Sequence, residues 1–157
     1  MLPTPQPERF CGNPQLTRNS SRTSNRLHTP PSKIAEQAER YDEMVAAMEF
    51  VSRNKSNGLS VEERNLLSVA FKNVVGAKRA SWRILSALEM RHDTKGESNN
   101  ATMCKDYRKK VEVELKTTCD ALLALLEESL LNQDGIETEA TVFYLKMKGD
   151  YYRYIAE

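Results

Sequence analysis

The sequence predicts an all-α fold, and three observations carry that prediction. All six prolines of the 157-residue chain fall within residues 1–31, so about four-fifths of the chain lacks the residue that disrupts helix interiors most. Apolar residues then recur at spacings of three and four over long stretches, as in amphipathic helices. Ser60-Val-Glu-Glu63 has the pattern of a helix-starting capping box. Together these features favour an array of packed helices behind a non-helical tail.

The tail, residues 1–32, differs from the rest of the chain in composition. It is rich in Pro, Ser, Thr and Asn, poor in aliphatic residues, and carries four arginines against one acidic residue. Such a segment buries too little apolar surface to offset the entropy lost on ordering. We expect a disordered tail. An organellar presequence is the alternative, although the prolines disfavour the amphipathic helix that it needs.

The first half of the remaining chain contains two helical regions. Residues 33–54 form one or two short helices, and Asp42 is a candidate start for the second. Asn57-Gly58 then breaks the pattern. After the capping box we expect a long helix from about Val61 to His92. Its apolar stripe consists of Leu67, Ala70, Phe71, Val74, Trp82, Leu85 and Leu88.

The second half contains two further helices. A polar loop over residues 93–100 precedes a helix that runs from about Ala101 to Leu130. The end of this helix is almost entirely apolar, which predicts that it is buried. A turn at residues 132–135 follows, and Thr138 is a candidate cap for a last helix that continues to Glu157.

Composition excludes several classes of function. A net charge of +1 gives no reason to expect nucleic acid or an acidic membrane as partner, and no apolar run approaches the roughly 20 residues that span a bilayer. Three cysteines without a Cys-x-x-Cys pair favour a reducing compartment, the cytoplasm. The two histidines lie outside any metal-ligand spacing, so we expect no metal and no cofactor. No nucleophile elbow or phosphate-binding glycine loop occurs, so we do not expect an enzyme.

Paired basic residues on two of the helices are the strongest candidates for a binding site. Lys72 and Arg79 are seven residues apart, and so are Lys146 and Arg153. Seven residues make almost two full turns, so each pair lies on one face of its helix with a rise of roughly 10 Å. Arginine offers a rigid two-pronged donor and lysine a mobile charge, which together match the oxygens of a phosphate.

Two neighbours of Arg153 extend this pattern. Asp150, three residues earlier, is placed to hold the guanidinium group, and the Tyr154 hydroxyl offers a further donor. The alternative is that these basic residues form a solvated helix face with ion pairs along the helix. The spacing alone leaves both interpretations open.

Three strings resemble the 14-3-3 family. They are AEQAERYDEM (35–44), EERNLLSVAFKNVVGAKRASWR (62–83) and VFYLKMKGDYYRYIAE (142–157). The resemblance covers roughly residues 33–157 and is weakest in segments 91–103 and 131–140. It implies a fold of nine antiparallel helices that dimerises through its first four helices, forms a cup and binds phosphorylated client proteins in an amphipathic groove.

The resemblance also implies roles for individual residues. Lys72, Arg79, Arg153 and Tyr154 match the family's phosphate-contacting residues, and Lys146 and Lys148 match secondary groove positions. The cross-dimer contacts would bring Ile34 and Ala38 against Ser81, Leu85 and Tyr107, with ion pairs from Arg40 to Glu114 and from Glu43 to Lys110.

Two departures from the family pattern affect the expected function. The tail 1–32 replaces the usual start of the first helix, and the match ends directly after the Arg-Tyr pair, so we expect a truncated array without the four C-terminal helices. The chain is then an impaired phosphopeptide-binding adaptor in signalling, or a dimerisation module that pairs with complete 14-3-3 subunits. An unrelated helical scaffold is a third possibility. Arg26, Thr29 and Pro31 also have the spacing of a family ligand motif.

Overall fold

The structure is a computed structural model that describes residues 29–157, and in this part of the chain it contains five α-helices and no strand. The helices are α1 (Thr29–Gln37), α2 (Tyr41–Asn54), α3 (Val61–Thr94), α4 (Ser98–Leu125) and α5 (Thr138–Ala156). A π-helical turn, Leu126–Leu130, continues α4 without a break. The prediction of an all-α fold is confirmed.

Helix α1 begins earlier than the sequence suggests. We expected a start near Lys33, but the helix begins at Thr29, with Pro30 and Pro31 in its first turn. Proline suits this position because the first amides of a helix have no intrahelical acceptor. Residues 29–32 of the predicted tail are thus helical, while residues 1–28 lie outside the described residues, so their disorder stays a prediction. The ligand motif of Arg26, Thr29 and Pro31 also stays a prediction.

The capping box at the start of α3 is confirmed in both directions. The Ser60 hydroxyl accepts a hydrogen bond from the Glu63 amide at 3.3 Å, and the Glu63 carboxylate accepts one from the Ser60 amide at 2.7 Å. Lys55 also pairs with Glu63. Burial alone would raise the pKa of Glu63, but the hydrogen bonds from Lys55 and Ser60 outweigh it and lower the pKa.

Helices α3 and α4 form an antiparallel hairpin. Only three residues, 95–97, separate them, because Gly96 adopts a left-handed φ of +74° that reverses the chain tightly. The predicted polar loop is therefore too long, since α4 starts at Ser98 instead of Ala101. Side-chain contacts fix the register: Trp82 Nε1 donates to Glu112 at 2.8 Å, and Arg108 Nε donates to Glu89 at 2.7 Å.

The hydrophobic core lies at one end of this hairpin. All five helices contribute to it, and the buried side chains of α3 end at Val75. The apolar stripe continues to Leu88 in sequence, but Trp82, Leu85 and Leu88 are only half-buried. The predicted burial of the apolar end of α4 is confirmed. Its fully buried side chains include Leu122, Leu125, Leu126 and Leu130.

The other end of the hairpin extends beyond the core as a two-helix arm, residues 78–110. It exposes large apolar side chains that no described residue covers. These are Ile84 at 61%, Met90 at 70%, Met103 at 71% and Tyr107 at 57% exposure. Exposed apolar side chains concentrated in one region mark association surfaces in soluble proteins.

The last helix, α5, starts where the sequence suggests but without the expected cap. Thr138 is the first helical residue and not the cap, which is Glu137, and the Glu137 side chain makes no capping hydrogen bond. Upstream, the wider π-helical turn directs Glu127 and Glu128 outward. There they pair with Lys148 at 2.8 Å and Arg53 at 3.8 Å. The turn thus connects α4 to α5 and α2.

Candidate functional site

The two arginines of the predicted basic cluster meet on one aromatic ring. The guanidinium carbons of Arg79, on α3, and Arg153, on α5, lie 4.3 Å and 5.1 Å from the centroid of the Tyr154 ring. Both distances are within the range of cation–π attraction. Behind them the rings of Phe71 and Tyr151 meet edge to face at 6.5 Å. The packing of α3 on α5 therefore converges two positive charges at one place.

The two lysines of the cluster face the adjacent cavity. Lys72 and Lys146, both exposed, line a space of about 200 Å³ together with Asp150 and Tyr154. Neither lysine has an ion-pair partner or a side-chain hydrogen bond among the described residues. The same holds for the Tyr154 hydroxyl. This cavity therefore presents donors without a direct ion pair in the described chain, since the Asp150 carboxylate that also lines it pairs with Arg153.

Acidic side chains hold both arginines. Asp150 lies 3.3 Å from Arg153 Nη2, which confirms the contact expected from their spacing. Glu157 accepts from Arg79 Nε at 3.0 Å and also from Nη2, and its pKa is lowered by the hydrogen bond from Arg79. Arg83, one turn after Arg79, lies 3.7 Å from the same carboxylate. The cluster thus has ordered guanidinium groups instead of freely rotating ones.

Sequence reasoning did not single out Glu157 or Arg83. The signal was present, because Arg79 and Arg83 are four residues apart and Arg153 and Glu157 are also four apart. Arg79, Arg83 and Glu157 additionally line a second cavity, of about 270 Å³, whose other walls include Trp82 and Leu115. This second cavity is mostly apolar and shares only Tyr154 with the first.

Lys148 lies apart from the other predicted site residues. Its ammonium group pairs with Glu127 at 2.8 Å and lies 5.9 Å from the ring of Tyr152. The hydrogen bond from Lys148 lowers the pKa of Glu127, and the pKa of Lys148 is raised in turn. Lys148 does not line the cavity with Lys72 and Lys146.

The predicted dimer residues lie on accessible surface. Ile34 is 66% exposed and Tyr107 57%, and Ala38, Ser81 and Lys110 are also exposed, while Leu85 is half-buried. Three of the four charged members, all except Lys110, have partners within the described chain. Arg40 pairs with Glu43, and Glu114 lies 3.3 Å from Lys78. The cross-dimer ion pairs that the resemblance implies would therefore have to replace these contacts.

Comparison with known proteins decides the family. The family model described as "14-3-3 protein" matches residues 32–157. The chain belongs to the 14-3-3 family. It is 57% identical over 127 residues to 14-3-3-like protein B of Hordeum vulgare, a match that covers 80% of this chain and 48% of that protein. It is 53% identical over 137 residues to a 14-3-3-like protein of Pisum sativum, covering 83% and 52%.

Family membership agrees with the expectation that the chain is not an enzyme, because 14-3-3 proteins are non-enzymatic adaptors. The chain spans about half the length of the curated relatives it matches. In the part of the chain that the structure describes, no helix is long and apolar enough to cross a membrane. Nor do the described residues bring together three or more potential metal ligands of the His, Cys, Asp and Glu types.

Proposed function

We propose that the chain binds peptides containing phosphoserine or phosphothreonine and acts as a cytoplasmic adaptor that regulates phosphorylated client proteins. The observation that carries this proposal is the convergence of Arg79 and Arg153 on Tyr154, beside a cavity that contains two unpaired lysines. A phosphorylated side chain carries about −1.5 to −2 charges and three acceptor oxygens, and therefore needs several donors at one place.

The contacts of Arg79 leave room for such a ligand. Glu157 accepts from Nε and Nη2, which form one edge of the guanidinium group. Nη1 and the outer hydrogen of Nη2 form the opposite edge, which can donate to a phosphate while Glu157 stays in place. Lys72 and Lys146 are mobile cations at the neighbouring cavity, which meets the cavity beside Arg79 at Tyr154. Preorganised arginines with mobile lysines suit an anion that arrives on a peptide.

Peptide titration tests the proposal. A fluorescent Arg-x-x-pSer-x-Pro peptide is titrated with the chain and its anisotropy measured. We expect Arg79→Ala to weaken peptide binding at least tenfold, because the substitution removes roughly one pair of charge-assisted hydrogen bonds to the phosphate. The matched control is Arg91→Ala, on an exposed turn of the same helix remote from Tyr154, and it should change the affinity less than twofold. Equal binding of the unphosphorylated peptide, or equal effects of the two substitutions, would contradict the proposal.

A second function, dimerisation with complete 14-3-3 subunits without phosphopeptide binding, is favoured by the exposed apolar surface at Ile34 and Tyr107. An affinity pull-down separates the two functions. Under the second, the chain co-purifies with a tagged full-length 14-3-3 protein but leaves the anisotropy of the peptide unchanged. Under the first, Arg79→Ala abolishes peptide binding and leaves the pull-down unchanged.

A further inference from the structure

The turn between α2 and α3, residues 56–59, contains the one asparagine of the sequence that precedes a glycine, in the pair Asn57-Gly58. The Asn57 side chain is exposed. Its oxygen accepts a hydrogen bond from the Ser56 hydroxyl at 3.4 Å, and its amide nitrogen donates to no group in the described chain. Asn57 is therefore accessible and loosely held.

The fold itself requires glycine after Asn57. Gly58 adopts a left-handed φ of +72°, which residues with a side chain rarely adopt. A Cβ atom at this position would also lie 3.3 Å from Gln133 Oε1, closer than ordinary van der Waals contact. No Cβ atom therefore shields the Gly58 nitrogen from the side chain of Asn57.

The other asparagines of the described chain are more constrained than Asn57. Each of them except Asn132 lies within a helix, where the φ and ψ angles hold the following nitrogen away from the side-chain carbonyl. Asn100, for example, also donates from its side-chain amide to Glu97 at 3.2 Å. Asn132 is followed by Gln133, whose side chain hinders approach to the backbone nitrogen. Asn57 thus differs from the others in both backbone conformation and the residue that follows.

We propose that Asn57 is a site of spontaneous deamidation through a cyclic imide. The Gly58 nitrogen attacks Cγ of Asn57, the bond between Cγ and Nδ2 breaks, and ammonia leaves with the proton of the Gly58 amide. Water then adds to one carbonyl of the imide ring and opens it. The product is an aspartate, or an isoaspartate in which the main chain runs through the side-chain carbons.

The reaction places a carboxylate where acidic side chains already face the turn. Asn57 lines a cavity of about 320 Å³ together with Asp134 and Glu137, from the segment before α5. Gln133 Nε2 donates to the Lys55 carbonyl at 3.2 Å and connects that segment to the turn. The new charge repels the acidic residues, and an isoaspartate also lengthens the main chain just before the capping box of α3. Deamidation therefore loosens the contact between the turn and the start of α5.

Peptide mapping of the folded chain during incubation at neutral pH tests the proposal. Trypsin releases residues 56–64, which contain Asn57, and residues 96–105, which contain the exposed Asn99 and Asn100. The first peptide should gain about one dalton as NH2 is replaced by OH, and the second should react about tenfold or more slowly. The gain should be faster at higher pH, because the attack requires a deprotonated nitrogen. A synthetic copy of residues 53–64 gives the reference rate. If the folded chain keeps its amide while the synthetic copy loses it, the fold protects Asn57 and the proposal is wrong.

Two substitutions of Asn57 separate the reaction from its structural effect. Asn57→Gln lengthens the side chain, so the ring closes less readily and the gain in mass should slow about tenfold or more. Asn57→Asp supplies the new charge without lengthening the main chain. Ion exchange isolates the deamidated fraction, whose urea midpoint should lie below that of the unmodified chain, with Asn57→Asp between them. Equal midpoints for all three forms would overturn the proposed loosening of the turn.

Discussion

At the scale of single residues, Tyr154 determines how the basic cluster is ordered. Its ring attracts Arg79 from α3 and Arg153 from α5, and each arginine is also held by a carboxylate. Without these contacts, two long side chains with like charge would separate and sample many rotamers. Under the proposed function, a phosphate would meet guanidinium groups whose ordering entropy has already been lost on folding, which would leave more of the interaction energy for affinity.

The structure distinguishes two lysines that the family resemblance places in the same groove. Lys72 lines the cavity beside Tyr154 and has no ion-pair partner among the described residues, whereas Lys148 is paired with Glu127. We expect Lys72→Ala to weaken phosphopeptide binding about fivefold or more. Lys148→Ala should change it less than twofold, measured by anisotropy at fixed ionic strength. The reverse order of effects would show that the peptide binds along the other face of α5.

Helical spacing predicted part of this cluster and left other contacts unpredicted. Lys72 and Arg79 were found because residues seven apart share a face of one helix. Lys146 and Lys148 differ by two positions, or about 200° around the helix, so periodicity itself separates them. The spacing of four between Arg153 and Glu157 places Glu157 near the cluster, but its contact with Arg79 was missed because Arg79 lies on another helix.

At the scale of the elements, the start of α3 is the best-defined helix end in the described chain. Its capping box is predicted to contribute to stability through Glu63, which is buried and contacts both Ser60 and Lys55. We expect Glu63→Gln to lower the free energy of unfolding at pH 7 by about 1–2 kcal/mol. Urea denaturation followed by circular dichroism measures the change. Glu62→Gln, which disrupts an exposed pair with Lys33, should cost less than about 0.5 kcal/mol.

The stabilisation that Glu63 contributes to the fold depends on pH in a definite direction. Its pKa in the folded chain is lowered from 4.5, so the ionised carboxylate stabilises the fold above pH 4.5. This contribution is lost as the pH falls through the lower folded pKa, where the carboxyl protonates. The stability difference between the chain and its Glu63→Gln variant should therefore shrink below pH 4.5. A difference that stayed constant down to pH 3 would mean that the charge of Glu63 is not responsible.

Element boundaries were predicted well where a local signal exists. The start of α3 at Val61 follows directly from its capping box, and the start of α5 at Thr138 from the turn before it. The predicted start of α4 was later than the observed start at Ser98, because the polar stretch resembles a loop in sequence although its residues tolerate a helix. The π-helical turn, Leu126–Leu130, has no sequence signature, since it depends on how α4 ends against α2 and α5.

At the scale of the whole molecule, two apolar surfaces lack a partner within the described chain. One follows α5, where Val142, Leu145 and Tyr152 are more than half exposed and share a face. The other covers α1 and the arm of the α3–α4 hairpin. Both surfaces lie on helices that the structure describes.

The second surface leads to a prediction about assembly. If Ile34 and Tyr107 pack across a two-fold axis, the chain should sediment at about twice its 17.9 kDa mass. Ile34→Asp would bury an unpaired charge in that interface, so we expect dimerisation to weaken by roughly a hundredfold or more. Val113→Asp alters an equally exposed apolar residue about a third of a turn away from Tyr107 around α4, and should leave the mass unchanged.

Sedimentation velocity at several concentrations separates the possible results. A dimer that Ile34→Asp converts to monomer, and that Val113→Asp leaves intact, places the interface on α1. A dimer that only Val113→Asp disrupts would place the interface on the face of α4 that carries Val113. A chain that stays monomeric at high concentration would show that α1, with nine residues, is too short to form the interface. The ion pairs of Arg40 with Glu43 and of Lys78 with Glu114 would then be the ones that these residues form in solution.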